Sequence, residues 1–163
     1  MTAGLRLDEI SLLVVEDDAF TRNLILSILR NLGVRTIAEA NGAGVALEML
    51  AATDVDIIIS DIQMSPVNGI EFLRHLRAGT RPAGVVPPQA PPSQIPVIFL
   101  TAHAQAKLVE LARAAGVSAF LTKPIRPALL RDRLLQISAT LGRREPEPAR
   151  GEPAQPASLD LPA

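Results

Sequence analysis

The feature that most constrains this chain is an alternation. Short apolar runs rich in Ile, Val and Leu are separated by stretches whose apolar residues recur at helical spacing. A strand with one wet face has a polar residue at every second position. Runs such as SLLVV (11–15), IIIS (57–60) and VIFL (97–100) have no such face and need cover on both sides. Residues 36–40 and 119–122 read as two further strands, the first of them weak.

Helices fill the gaps. Asp18 caps one carrying Phe20, Leu24, Ile28 and Leu32, which Gly33 stops. Residues 43–52 carry Val45, Leu47, Met49 and Leu50, and Asn68 caps a third helix with Ile70, Phe72, Leu73 and Leu76. Residues 105–115 form a fourth, closed by Gly116, and Pro127 opens a fifth reaching Leu141. Five β-α units in series predict an α/β fold, a parallel sheet covered by helices on both faces, because right-handed crossovers leave few alternatives.

Composition sets the limits. A chain of 163 residues, 48% hydrophobic, suits one domain with a real core. With four Phe and no Trp or Tyr, that core is aliphatic. The absence of Cys excludes disulfides, thiolate zinc sites and thiol catalysis. A net charge of −1 argues against nucleic acid as a partner. No apolar run reaches the roughly 18 residues that span a bilayer. The start, MTAGLRLDEI, lacks the apolar centre of a signal peptide, so the expected location is cytoplasmic, with no membrane partner. Six of the fourteen prolines fall in 78–96 and five more in 142–163. These set the expected boundaries: a lead-in over 1–10, one domain over 11–141 with a Pro-rich loop insertion at 78–96, and a disordered tail over 142–163.

In a sheet of this kind, chemistry sits beyond the carboxyl ends of the strands. The first strand runs into Glu16-Asp17-Asp18, the third into Asp61, the fourth into Thr101 and the fifth into Lys123-Pro124. Three carboxylates against one ammonium either raise a carboxyl pKa or recruit a cation. An all-oxygen site with room for water suits Mg²⁺. Asp61 can then act as a carboxylate nucleophile toward phosphorus, with Lys123 and the Thr101 hydroxyl around the phosphoryl oxygens. Asp18 is assigned only to capping.

Four motifs now stand in order: VVEDD (14–18), SDIQMSPVNG (60–69), LTA (100–102) and TKP (122–124). Together they resemble the response-regulator receiver family, typified by the bacterial chemotaxis regulator, along residues 11 to 140. The resemblance implies a flavodoxin-like, doubly wound (βα)5 fold with strand order 2-1-3-4-5. It also implies a two-component signalling role, with a phosphoryl group taken from a sensor histidine kinase or histidine phosphotransfer protein. By the same analogy Asp61 is the phosphoacceptor, Asp17 a direct Mg²⁺ ligand, Glu16 a ligand through water, and the Gln63 backbone carbonyl a further ligand. Thr101 is the hydroxyl that moves toward the phosphoryl group, Lys123 binds it, Pro124 follows an often cis bond, and Phe120 is the aromatic switch. The 105–115 helix, the 119–122 strand and the last helix form the implied contact surface for an unidentified target, the chain being a monomer or weak homodimer.

The sequence also departs from the family. Its Met-Pro pair is spread into Met64-Ser65-Pro66, and Ile125 replaces an aromatic residue after Lys-Pro. Phe120 stands where Tyr is commoner, which predicts a ring biased inward even without phosphate. Asp61 and Thr101 are 40 residues apart, the excess lying in the Pro-rich loop. Gln63 and His103 are candidates for tuning dephosphorylation, while His75 reads as a surface residue. The glycines at 42 and 44 lack the third that a dinucleotide loop needs, and the PxxP at 88–91 reads as spacer.

Three functions compete. The first is a phosphorylation-controlled module without a DNA-binding output domain, not an enzyme beyond its own phosphorylation and dephosphorylation. The second is a phosphorylation-independent binding module. The third is an aspartyl-phosphate phosphohydrolase, which would want an acid where Gln63 stands. Asp54 and Asp56 have that spacing but precede their strand.

Overall fold

Residues 6–79 and 94–141 are described by the structure, a computed structural model. Most of the Pro-rich segment, with its PxxP, and the tail from 142 lie outside the described residues. The elements alternate throughout: β1 (Ser11–Val15), α1 (Ala19–Asn31), β2 (Thr36–Ala40), α2 (Ala43–Ala52), β3 (Ile57–Asp61), α3 (Gly69–Ala78), β4 (Val97–Thr101), α4 (Ala106–Ala114), β5 (Ala119–Thr122) and α5 (Pro127–Ser138). All pairings are parallel, in the order β2-β1-β3-β4-β5. This is the expected doubly wound fold. Two strands run one residue further than their apolar runs, so Asp61 and Thr101 are the last residues of β3 and β4. The last helix ends at Ser138, short of Leu141.

Successive side chains of a strand point to opposite faces, and the core divides accordingly. Leu13, Val15, Ile58, Val97 and Phe99 pack with α2, α3 and α4 through Ala46, Leu50, Phe72, Leu73, Leu76 and Ala112. Leu12, Val14, Ile57, Ile59, Ile98, Leu100 and Leu121 pack with α1 and α5 through Ile25, Leu26, Leu29, Leu130 and Leu134. Every residue of β3 and β4 is buried, as their unbroken apolar runs require. The weaker edge strand β2 buries only Ala40 fully.

Helix α1 corrects one expectation. Phe20 and Leu24 are 79% and 49% exposed, while Ile25, Leu26 and Leu29 carry the burial. Ile28 and Leu32 pack against that cluster only in part. Residues four apart advance by 400°, so a row of four drifts through roughly 120° and its ends leave the buried face. On α2, likewise, Val45 is exposed, and Ala43 and Ala46 join Leu50 in the core.

The caps follow the sequence. The Asp18 carboxylate accepts from the Thr21 amide at 2.7 Å and hydroxyl at 2.6 Å. The Asn68 side chain accepts from the Glu71 amide at 2.9 Å. Arg77, on the last turn of α3, donates to the carbonyls of Gly116 at 2.8 Å and Ile95 at 2.6 Å. It thereby joins α3 to the start of β4 and to the turn between α4 and β5.

Candidate functional site

Parallel strands put their carboxyl ends on one edge, and β1 and β3 are neighbours. That adjacency brings Glu16 and Asp17, just beyond β1, beside Asp61. Carboxylate oxygens of the three lie within 4.8 Å of one another. Glu16 and Asp61 are buried, 1% and 6% exposed, and Asp17 is exposed.

The counter-charge comes from two strands away. Lys123 follows β5, and its amide donates to the Thr101 carbonyl at 2.7 Å, which seats it at the sheet edge. Its Nζ reaches back past β4, to 3.3 Å from Asp61 Oδ2 and 3.5 Å from Glu16 Oε2. One ammonium therefore faces three acids. Burial above all pushes the Glu16 carboxyl from its usual 4.5 up to about 7. The Asp61 charge adds to this, and the Asp18 amide and Lys123 offset it only in part. The donor set fits a small divalent cation: hard oxygens only, too much negative charge for Lys123 alone, and an exposed acid at the mouth.

The remaining strand-end residues are close by but differently engaged. Thr101 is fully buried, and its hydroxyl donates to the His103 carbonyl and accepts the His103 amide, both at 3.2 Å. The hydroxyl is thus occupied within its own loop rather than by Asp61. The His103 and Gln63 side chains are exposed, and the Gln63 amide donates to Asp61 Oδ1 at 3.4 Å. Phe120 is half-buried and meets Phe99 edge-on, with ring centroids 6.4 Å apart. The Lys123-Pro124 and Ser65-Pro66 peptides are both cis.

Gly69 shapes the wall of the site. The loop after β3 returns so closely that a Cβ at Gly69 would collide with the Asp61 carbonyl oxygen and lie 2.8 Å from the Ile62 Cα. Its amide donates to the Ile62 carbonyl at 2.8 Å, which pins α3 against the end of β3. Asp56 lies at the other end of β3, where it accepts the Ser11 amide at 2.8 Å. His75 is exposed on α3. Sequence reasoning missed Arg22. From α1 it donates to the Glu16 carbonyl at 2.9 Å, six residues back, a span outside the side-chain pairings of a helix.

Comparison with known proteins gives one answer. The family model described as "Response regulator receiver domain" matches residues 12–135. The chain is 30% identical over 126 residues to chemotaxis protein CheY-3 of Vibrio cholerae, covering 77% of this chain and 89% of the relative. To chemotaxis protein CheY of Pseudomonas aeruginosa it is 31% identical over 126 residues, covering 77% and 94%. Among solved structures, it is similar to the receiver domain of a sensor histidine kinase from Pseudomonas aeruginosa PAO1, described with a magnesium ion coordinated in the active-site cleft. The TM-score there is 0.65 at 28% identity, over 80% of this chain and 97% of that one. A signal receiver domain of a histidine kinase from Syntrophus aciditrophicus gives a TM-score of 0.70 at 25% identity, over 86% and 98%.

Proposed function

The chain belongs to the response regulator receiver domain family, and from that premise we propose that it signals by accepting a phosphoryl group on Asp61. One observation carries the reading: the Lys123 ammonium lies 3.3 Å from Asp61 within a cluster of three converging carboxylates.

The donor is a phosphohistidine on a kinase or phosphotransfer protein. An Asp61 oxygen attacks phosphorus as the P–N bond breaks. The electron pair of that bond goes to the imidazole, and a P–O bond forms on the carboxylate. Lys123 shifts from Asp61 Oδ2 to a phosphoryl oxygen, and the Gln63 amide holds the other Asp61 oxygen in place. Mg²⁺, held by Asp17, Asp61 and the Gln63 carbonyl with Glu16 behind a water, would supply the charge neutralisation that lets an anion enter this pocket. The Thr101 hydroxyl then leaves His103 for the phosphoryl group, which frees the loop between β4 and α4. Phe120, already half-buried against Phe99, turns inward with it.

The receiver domain spans 11–141 in this reading, and the protein works in the cytoplasm. Among the described residues no helix is long and apolar enough to cross a membrane. A groove of about 300 Å³ between α4, β5 and α5, lined by Val109, Val117, Phe120 and Ile137 and flanked by Arg113 and Arg133, is where a target protein would bind. Gln63, two residues past Asp61, and His103, two past Thr101, tune hydrolysis; an unchanged dephosphorylation rate in His103→Ala would remove His103 from that role.

The test is incubation with Mg²⁺ and acetyl phosphate, followed by intact mass measurement. The expected result is a gain of one phosphoryl group that Asp61→Asn abolishes. A wild-type chain that stays unlabelled overturns the reading.

A further inference from the structure

Arg22 borders the acid pocket, and the phosphoryl chemistry above does not use it. Its side chain is only 17% exposed. From α1 it folds back so that Nη1 donates to the Glu16 carbonyl at 2.9 Å, while Nε lies 3.8 Å from Glu39 Oε1 on β2. The Glu16 amide still belongs to the sheet, donating to the Ala40 carbonyl at 3.1 Å. The next peptide has left the sheet and carries Asp17. Arg22 takes the carbonyl at that point of departure.

The rest of the turn is held in the same manner. The Asp18 amide donates to Glu16 Oε1 at 3.1 Å, and the Asp18 carboxylate is fixed by Thr21 as the cap of α1. The segment 16–18 is therefore secured at the Glu16 carbonyl, at the Asp18 amide and at the cap. Asp17 is exposed, so burial does not fix where its carboxylate sits; these bonds to its neighbours do. We infer that Arg22 is a positioning residue for divalent cation binding: by holding the Glu16 carbonyl it keeps the Glu16 and Asp17 carboxylates converged on Asp61. This rests on the reading of the acid cluster as a cation site.

Charge and geometry give opposite signs here, which makes the inference testable. Arg22 is a cation beside a cation site, so removing it should tighten ion binding if charge were its whole effect. If it positions the acids, removing it weakens binding, as loss of a group that orients ligands does elsewhere. The experiment titrates the full chain with Mn²⁺ by electron paramagnetic resonance and with Mg²⁺ by calorimetry. It is run above pH 7, the value to which the Glu16 carboxyl is pushed. Arg22→Met is expected to weaken both ions by about tenfold. Arg22→Lys, with one ammonium in place of the guanidinium fork, should weaken them by about threefold. Glu39→Gln, which leaves the carbonyl bond intact, should stay within about twofold of wild type.

Equal or tighter binding by folded Arg22→Met overturns the inference while leaving the cation site standing. If Arg22→Met does not fold, Arg22→Lys decides, and wild-type affinity there overturns it. A wild-type chain that binds neither ion sinks the cation-site reading itself.

Discussion

Asp56 and Asp61 lie five residues apart, at opposite ends of β3, and meet opposite surroundings. Asp56, just before β3, accepts the Ser11 amide at 2.8 Å, while Ser11 returns its own carbonyl to the Asp56 amide. It closes the amino end of the sheet. Asp61, the last residue of β3, faces two more acids and shares one ammonium with Glu16. In a parallel sheet the amino ends offer free strand amides, which an aspartate can take locally. The carboxyl ends offer carbonyls, and helix N-termini follow them, whose positive field favours anions without discharging them. Strand direction thus separates an acid whose charge is taken up by the fold from an acid gathered with others around one ammonium.

The difference can be attacked from both ends, starting with glycine. Gly69→Ala drives a Cβ into the Asp61 carbonyl and should cost about 3 kcal/mol or more in denaturant unfolding. Gly33→Ala, at the amino end, has a φ of +98° but nothing within 4 Å, and should cost about 1 kcal/mol. Equal losses would erase the contrast in crowding.

Charge comes next, with opposite signs. The folded-state pKa of Glu16 is raised from 4.5 to about 7, so the native state binds more protons than the unfolded state between those values. Its burden on stability therefore grows as pH rises through that window and is complete above pH 7. Without divalent ions, Glu16→Gln should stabilise the protein above pH 7 by roughly 1–3 kcal/mol and give little near pH 4.5. Asp56→Asn should instead destabilise it by about 1 kcal/mol. Thermal melts over the pH range check both signs.

If the acid cluster holds a divalent ion as proposed, the same proton should govern its uptake. Ion affinity should fall by up to about tenfold per pH unit below 7 and level off above it. Calorimetric titration of Glu16→Gln, in which the slope should vanish, checks the assignment. The smallest effect on stability belongs to Phe20. Being 79% exposed, Phe20→Ala should change stability by no more than about 0.5 kcal/mol. It stands three residues past Asp17, so it should slow transfer from a phosphohistidine protein while leaving labelling by acetyl phosphate unchanged. Equal slowing with both donors would place Phe20 in the chemistry rather than in docking.

Much of this was legible beforehand because it depends on periodicity and direction. Unbroken apolar runs gave the buried β3 and β4, and strand ends gave Glu16, Asp17, Asp61 and Lys123 as neighbours. The buried face of α1 is not legible in the spacing of Phe20, Leu24, Ile28 and Leu32, because these residues share a spacing without sharing a face. Arg22 escaped notice because its partner is a backbone carbonyl, which has no signature in residue types. The engagement of Thr101 with His103 escaped for a similar reason: a hydroxyl has several rotamers, and spacing does not choose among them.

Arg77 carries a consequence for how the chain can vary. It sits two residues before Gly79, where α3 ends, and grips the Ile95 carbonyl where β4 is about to begin. The described residues on either side of the proline-rich segment are thus moored to one side chain. The register of β4, and with it the placement of Thr101, follows from its pairing with β3, and that mooring holds the start of the strand in place. A foreign peptide grafted between the moorings should therefore leave the carboxyl edge of the sheet undisturbed.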